Sequence, residues 1–568
     1  DRLQKAKLIA EKAIKSKKVF SIHGPYPLIR RALRDRGWVE KEFKLPVRAR
    51  TNKPSVSPRP PFESSENAAE NDMNDCYGIM GRMVRNETSM FQWTTRTGAV
   101  DWRFLQKDQI VNHFSKANFT TKVGLCVNLR MLSCFAVGHS DTFFPRCYRL
   151  SNEDDKLDFI DDFRLGAASG ILKMVVGRHV DDSYGKDAEK IENGQLPPSS
   201  DFNPFCYNIN PFPPTLDGSH VVPNEVLLFA IRVCDLYVQE RDHDDIDMDD
   251  ASLYTSEDDW EKLLHHYYKL VHEGAVIAHS CSYLQQCEQT LARLKERNPQ
   301  FFTEGVKNTW IIKPGAKSRG RGIIVINRLE EILKLVAGDA TLIKDSRWVV
   351  QKYIERPLLI HGTKFDIRQW FLVSDWNPLT VWIYKECYLR FSSRPFSLKN
   401  LDPSIHLCNY SVQKNVDMDV NRNPLLPIEN MWSCTEFKTY LRSRDCHTLW
   451  DDLVFPGMKK AIIHICQTAQ DVVEYRKGSF ELYGADFMLD ENYNPWLIEV
   501  NSSPTMSRST AVTSRLCAAV QEDTMKVILD RKRDRNCDIG LFELIYKQPV
   551  VDVPLYVGKA LNVRYITV

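Results

Sequence analysis

The sequence predicts a mixed α/β protein whose first half is helical and loop-rich and whose second half is built on short strands. Before Pro299, apolar residues recur at helical spacing in several segments. After Pro299 the texture changes to short runs rich in β-branched and aromatic residues. The whole chain, 568 residues with 43% hydrophobic and 26% charged, has the composition of a folded enzyme rather than of a disordered or fibrous protein. At roughly 100–200 residues per domain it accommodates about three structural units.

In residues 2–18, Leu3, Ala6, Ile9, Ala10, Ala13 and Ile14 fall near one face of a helix, and six lysines from Lys5 to Lys18 flank it. A second basic helix is predicted at Pro27–Arg36, with Arg30, Arg31, Arg34 and Arg36. Residues 46–75, rich in Pro, Ser, Asn and Glu without apolar periodicity, read as a mobile linker, and residues 181–223 as a loop-rich insertion. The acidic run from Asp242 to Asp250 lacks the glycine and terminal glutamate of a calcium loop and reads as a solvated loop. Helices resume at Glu257, with Trp260, Leu263, Leu264, Tyr267, Leu270 and Val271 on one side, and again at Tyr283–Arg297. Adjacent His265 and His266 do not share a helical face and make a poor metal pair. Strands are then predicted at Thr309–Ile312, Ile323–Ile326, Trp348–Ile354, Arg368–Ser374, Thr380–Tyr384, Leu482–Leu489 and Trp496–Val500, with a helix at Arg328–Ala337.

Seventy-six Lys and Arg against 74 Asp and Glu give a formal charge of +2, so no whole-molecule field draws the chain to nucleic acid or membrane, and local clusters must carry any charge recognition. The 15 cysteines are odd in number and form no C-x-x-C, which reads as reduced thiols. The best membrane candidate, Val226–Ile231, is broken by Arg232 and falls far short of the roughly 20 residues a span needs. A first residue of Asp1 rather than Met reads as a piece of a longer protein.

Residues 310–326, WIIKPGAKSRGRGIIVI, read as strand, glycine loop, strand. Gly315, Gly320 and Gly322 allow backbone N–H groups to approach phosphate oxygens, and Lys313, Lys317, Arg319 and Arg321 supply positive charge. Gly315 and Gly320 have the spacing of a P-loop, but Arg321-Gly322 follows instead of Lys-Ser/Thr, and a strand stands where the helix belongs. A protein kinase is excluded by the absence of HRD and DFG triplets. By itself the loop fits a basic hairpin turn as well as a nucleotide site.

Residues 481–490 (ELYGADFMLD) and 496–501 (WLIEVN) form a second constellation, two β runs around a turn-rich ENYNP. A hairpin centred between Asn492 and Tyr493 sets Asp486 opposite Glu499 on one face, with Asn501 on the same face opposite Gly484. Like charges directly opposed are destabilising without a cation, so these three hard oxygen donors read as Mg²⁺ ligands. Between the two constellations lie charged strings in apolar strands: residues 351–355 (QKYIE), 364–368 (KFDIR), 388–391 (YLRF) and 406–410 (HLCNY). In the second of these the alternation puts Lys364, Asp366 and Arg368 on one face and two apolar residues on the other, as around a highly charged ligand.

With IIKPGAKSRGRGI, QKYIE, KFDIRQWFLV, YLRFS, HLCNYSVQK, GADFMLD and WLIEVNSSPTM, the chain resembles the tubulin tyrosine ligase-like ligases from about Thr309 to Leu529, and most closely their glycylase branch. The resemblance implies an ATP-grasp fold with an N-terminal unit over 1–105, a central unit over 106–354 and a C-terminal catalytic unit over 355–568. It implies that Lys313 and Lys352 meet the nucleotide phosphates or the adenine edge, that Gln351, Lys352, Tyr353 and Ile354 form the adenine hinge, and that Lys364 and Asp366 lie by the ribose and phosphates. Arg319, Gly320 and Gly322 belong to the nucleotide loop, Lys122 reaches in from the central unit, and Asn409 stands beside Arg368 and Arg390, which face the γ-phosphate and the acceptor carboxylate. Asp486, Glu499 and Asn501 match the Mg²⁺ ligands, with Glu499 also counted as catalytic. Cys408 stands where relatives commonly carry threonine. The implied activity is ATP-dependent attachment of glycine, through an isopeptide bond and an acyl phosphate, to glutamate side chains of acidic tubulin tails in the cytoplasm, on the cytoskeleton and in the cilium, with no nucleic-acid or membrane partner. A glutamate ligase of the same family and an inactive microtubule-binding module are the alternatives.

Overall fold

The computed structural model describes residues 2–41, 76–135, 137–188, 221–242, 255–315, 320–337 and 348–549. The linker expected over 46–75 and the acidic run beyond Asp242 lie outside the described residues, as does most of the expected insertion; its start is instead the end of a long helix, Glu153–Ala188.

Four short parallel strands open the chain: β1 (Val19–Ile22), β2 (Val39–Glu40), β3 (Phe91–Trp93) and β4 (Ile110–Val111), in the order β2-β1-β3-β4. The boundary expected at 105 falls within this sheet, before its last strand. Helix Arg2–Lys15 buries Ala6, Ala10 and Ala13 against Val19, Val39, Met80 and Val84, small residues that allow close packing, whereas Leu3, expected on that face, is exposed. Helix Pro27–Asp35 starts on a proline, whose missing N–H would be unpaired there in any case.

The middle of the chain contributes β5 (Cys147–Arg149), a two-residue parallel pair β6 (Val221–Val222) and β7 (Val276–Ile277), β8 (Trp310–Pro314), β9 (Ile324–Ile326) and β10 (Trp348–Lys352). β8 and β9 form the expected antiparallel hairpin, and the sheet runs β5-β10-β8-β9. Helices Glu153–Ala188, Asn224–Asp242, Glu257–His272 and Leu284–Arg297 share one core with it, including Phe159, Phe163, Ile171, Leu227, Leu263, Leu291 and Trp310.

The third sheet holds seven strands: β11 (Leu359–Ile360), β12 (Thr363–Trp376), β13 (Leu379–Phe391), β14 (Met431–Ser433), β15 (Glu481–Leu489), β16 (Pro495–Ser502) and β17 (Phe542–Lys547). Its main path is β14-β13-β12-β15-β16, with β11 on β12 and β17 on β13. One face packs Phe365, Ile367, Phe371 and Phe487 against helices Cys434–Ser443 and Phe455–Ala469; the other packs Trp370, Leu372, Tyr384 and Leu482 against helix Ala511–Met525 and the first sheet. Each such fully buried side chain contributes roughly 1.5–3 kcal/mol.

β12 and β13 run well beyond the lengths expected from their apolar cores. The added stretches carry Lys364, Asp366 and Arg390 among apolar residues, and the register explains how the charge is accommodated: Asp366 lies opposite Arg390, and Arg368, at the start of the expected strand, lies opposite Asp486, so charge is paired across neighbouring strands. No described helix is long and apolar enough to cross a membrane, and the fourteen described cysteines are free.

Candidate active site

The second and third sheets meet along a cleft formed by two adjoining cavities that share Lys313, Gln351, Ile498 and Glu499. The first, about 160 Å³, is lined further by Lys122, Gly315 and Asn501. The second, about 60 Å³, has apolar walls of Ile311, Ile323, Leu407 and Met488, with Tyr353, Ile354, Lys364, Asp366, Asn409 and Asp486 completing it. A larger cleft of about 490 Å³ lies against the helices of the middle sheet, beside Arg146, Asp162 and Glu304, and contains none of the predicted residues.

Asp486 and Glu499 are register partners and Gly484 faces Asn501, as the hairpin argument expects, but by a different route. Next to the turn the strands pair one step off, Leu489 with Pro495 and Phe487 with Leu497; Ile498 is then an extra residue, a β-bulge, after which Glu499 meets Asp486. Regular pairing from the turn would have put Ile498 opposite Asp486. The bulge also turns the Ile498 carbonyl towards Lys313, whose Nζ donates to it at 3.4 Å.

The two carboxylates differ sharply. Burial would push Asp486 up, but two guanidiniums hold it well below the usual carboxylate range: Arg368 binds both its oxygens and Arg390 Nη2 donates at 2.9 Å. Glu499 is pushed up by burial and by the charge of Asp486 beside it. Asn501 Nδ2 donates to Glu499 at 3.1 Å and to Asp486 at 3.4 Å, tying the three together. With four donor nitrogens already on Asp486, Glu499 is the less encumbered oxygen donor. Among the described residues no cluster of three His, Cys, Asp or Glu is assembled. This donor set, oxygen only and with one carboxylate held high by its neighbour's charge, fits a small hard cation that keeps much of its water.

The opposite requirement appears in the lysines. Burial pushes the ammonium groups of Lys122, Lys313 and Lys364 down, Lys364 to about 8, so each favours an anion at its side. They come from three elements: Lys122 opens helix Lys122–Arg130, Lys313 lies in β8 with Nζ 2.6 Å from Gln351 Oε1, and Lys364 lies in β12. Lys364 Nζ donates to Tyr353 Oη at 2.9 Å and to the His406 carbonyl at 2.6 Å. Tyr353 Oη donates in turn to His406 Nδ1 at 2.7 Å while His406 Nε2 donates to Asn400 O, an arrangement of neutral imidazole that agrees with its pKa being lowered, by burial and then by Lys364, to about 4. Two buried ammoniums, Lys313 and Lys364, a half-buried one, Lys122, and an apolar slot together fit a nucleotide triphosphate.

The remaining predicted residues sort as follows. Asp366, raised by burial, holds Arg390 through both oxygens, at 2.6 and 2.8 Å. Gly320 and Gly322 have φ of +76° and +70°, and a Cβ on Gly320 would come within 2.9 Å of Val412 and 3.3 Å of Asn409 Oδ1, so the glycine loop closes on Asn409 only because it lacks a side chain. Arg319 lies outside the described residues. Lys352, expected at the phosphates or the adenine edge, turns its ammonium to the other face of β10, where Nζ donates to Asn308 Oδ1 at 2.8 Å and sits 3.4 Å from Glu355, away from the phosphate contact, while the residue still lines the apolar slot. Cys408 Sγ lies 3.7 Å from the Lys364 carbonyl.

Sequence reasoning placed Tyr353 in the adenine hinge, His406 in a charged string and Gly484 opposite Asn501, and did not foresee what each does here. The hydroxyl of Tyr353 and the ring of His406 orient Lys364, and nothing in residue spacing links them. Gly484 was noted as empty space beside Asn501, yet a Cβ there would stand 3.1 Å from Arg368 Cδ and 3.1 Å from Pro504 Cβ, so its missing side chain admits the arginine.

Residues 248–536 match the tubulin-tyrosine ligase family. Over its full length the chain is 49% identical to the tubulin monoglycylase TTLL3 of Mus musculus, spanning 63% of that protein. It is likewise 49% identical over 99% of its length to tubulin monoglycylase TTLL3 of Danio rerio, spanning 73% of it, and 48% identical over its full length to the protein monoglycylase TTLL8 of Mus musculus, spanning 68%.

Proposed function

Since the chain belongs to the tubulin-tyrosine ligase family, we propose that it is an ATP-dependent ligase that starts glycine branches on glutamate side chains of acidic tubulin tails. The observation that carries the reading is the convergence of Lys122, Lys313 and Lys364 on a cleft whose far wall is the Asp486–Glu499 pair. The names of the relatives support the choice of glycine and tubulin.

In this reading the apolar slot between Ile311, Ile323, Leu407 and Met488 takes the adenine, next to the Gln351–Ile354 segment. The three lysines hold the phosphates. Asp486, Glu499 and Asn501 hold Mg²⁺, which neutralises phosphate charge. Forming an amide from a free carboxylate is uphill in water, so the acceptor carboxylate attacks the γ-phosphate, expelling ADP and becoming an acyl phosphate; the glycine amine then attacks the acyl carbon, losing a proton and displacing inorganic phosphate, to give the isopeptide bond. Arg390 and Arg368, buried and fixed on Asp366 and Asp486, stabilise the charge that builds on the acceptor and the transferred group. Because these guanidiniums are already ordered, little reorganisation accompanies the reaction. Work on the cytoskeleton follows from the acceptor, and work in the cilium from the family resemblance.

Mass spectrometry of tubulin tails after incubation with ATP, Mg²⁺ and an equimolar mixture of amino acids tests the proposal. Glycine alone should be incorporated, one residue per modified glutamate. Incorporation of glutamate would move the chain to the glutamate ligases, and nucleotide binding without any incorporation would make it a binding module.

A further inference from the structure

The segment from Asn409 to Met431 carries a feature that the chemistry above does not use. Met418, Val420, Leu425 and Ile428 are exposed at 41%, 95%, 69% and 86%, four apolar side chains in one loop. The loop is nevertheless firmly built. Leu426 is buried in the core of the third sheet, and Arg422 is turned inward, donating to Asn430 Oδ1 at 2.6 Å and to the Pro427 carbonyl at 3.2 Å. Asp419 N donates to the Ser393 carbonyl, and Asn430 Nδ2 to Ser393 Oγ. A loop held by these bonds that still keeps four apolar side chains in water, when Leu426 beside them is buried, offers the surface that an apolar partner would cover.

Its position says which interaction. The segment leaves the cleft at Asn409 and returns at Met431, the register partner of Arg390. Glu429 reaches across to accept the backbone N–H of Ala511 at 2.9 Å, just beyond the hairpin that bears Glu499 and Asn501. The loop is therefore a rim of the site, continuous with the place where an acceptor carboxylate would meet Arg390. The acceptor's acidic tail is a poor occupant, since it offers little apolar surface, and with Arg422 folded inward the charges the loop shows to water are Lys414 against Asp417 and Glu429, which do not complement a polyanion.

We propose that the loop bearing Met418, Val420, Leu425 and Ile428 docks the folded body of the acceptor protein, an apolar patch next to the root of its tail, while the tail itself enters the cleft. This rests on the reading of the site as a ligase for tubulin tails. The test pairs the double variant Val420→Asp, Ile428→Asp with the unaltered chain; both side chains point to water, so an unchanged melting temperature is expected. Two readouts are taken: co-sedimentation with polymerised tubulin, which needs no catalysis, and KM for the polymer against KM for a synthetic Glu-rich tail peptide. The variant should lose about tenfold or more in polymer affinity, since apolar contact is replaced by charge, with peptide KM within about twofold of the unaltered chain. Equal polymer binding by the two proteins overturns the proposal, as does an equal loss on polymer and peptide. A change in the chain's own oligomeric state on mutation would also overturn it, by making the patch a contact between copies. Failure of the underlying ligase reading is read separately, as absence of glycine transfer to the peptide by the unaltered chain, and leaves the sedimentation comparison to judge the loop.

Discussion

Glu499 combines two properties that ordinarily exclude each other, burial and closeness to a second carboxylate, and both raise its pKa. A bound cation reverses that preference, so Glu499→Gln should remove the most available cation ligand while keeping shape and the bond to Asn501. We expect kcat to fall by about 100-fold or more with the thermal melt unchanged or slightly raised; steady-state kinetics with Mg²⁺ titration checks it, and near-normal turnover would refute the role. Lys364 provides a pH signature. Its ammonium, ordinarily near 10.5, is pushed down to about 8 by burial. Between those values the unfolded chain binds more protons, so this group's contribution to stability increases as pH rises through the window and is least favourable below about pH 8. An anion seated on Lys364 favours the charged form, so ATP binding just above pH 8 should take up protons. Calorimetry in buffers of different ionisation enthalpy measures the uptake, and Lys364→Arg should abolish it; binding without proton uptake would remove Lys364 from the phosphate contacts.

At the scale of elements, helix Lys122–Arg130 is the part whose placement is most easily upset. Thr121 caps it, Oγ1 accepting the N–H of Gly124 at 3.0 Å, and a Cβ on Gly124 would lie 2.1 Å from the Asn118 carbonyl oxygen. The glycine lets the first turn sit directly on the preceding loop, and Lys122 is carried into the cleft as a result. Thr121→Ala should cost about 1 kcal/mol, whereas Gly124→Ala must shift the turn and with it Lys122. We therefore expect KM for ATP to rise several-fold more in Gly124→Ala than in Thr121→Ala; the reverse order would show that Lys122 does not act on the nucleotide. The hairpin offers the contrasting case. Regular pairing about Asn492 and Tyr493 sets Asp486 opposite Glu499, but the strands reach that pairing only because the bulge at Ile498 makes up for a turn centred one step away; the bulge was not legible, since it falls in the apolar run Trp496-Leu497-Ile498, where there is no alternation for an extra residue to break.

At the scale of the molecule, the basic N-terminal cluster changes meaning. Read as sequence, Arg30, Arg31, Arg34 and Arg36 look like a positive path for an acidic tail. In the fold Arg30 and Arg34 both clamp Glu40, at 2.8 and 2.9 Å, and Arg36 bridges to Glu522 and Asp530 near the end of the chain. Arg31 stays exposed beside Asp35, and Lys5, Lys7, Lys12 and Lys15 are exposed on the first helix, so steering from this segment would rest on such residues, screened over roughly 8 Å at physiological salt. Arg34→Glu, which would set a carboxylate against Glu40, should lower stability by about 1–3 kcal/mol rather than act on acceptor KM. Thermal unfolding with and without acceptor kinetics distinguishes the two, and an unchanged melt with a raised acceptor KM would restore the steering reading.

What the sequence determined by itself was local and periodic: the helices at Pro27, Glu257 and Leu284, the β8–β9 glycine hairpin, and the face shared by Asp486, Glu499 and Asn501. Helical and strand periods are properties of a dozen residues, so each of these elements can be read from its own stretch of chain. The first sheet, by contrast, joins two- to four-residue strands from β1 to β4 across 93 positions of chain, too short for any pattern to register. Only tertiary structure decided that Lys352 faces away from the cleft while Lys313 faces in, that Tyr353 and His406 hold Lys364, and that Arg368 and Arg390 share Asp486. The reason is that a charged residue inside an apolar strand has no periodic preference of its own; its direction follows from where a partner waits, and for Arg368 and Arg390 that partner, Asp486, comes from a strand more than 90 residues away.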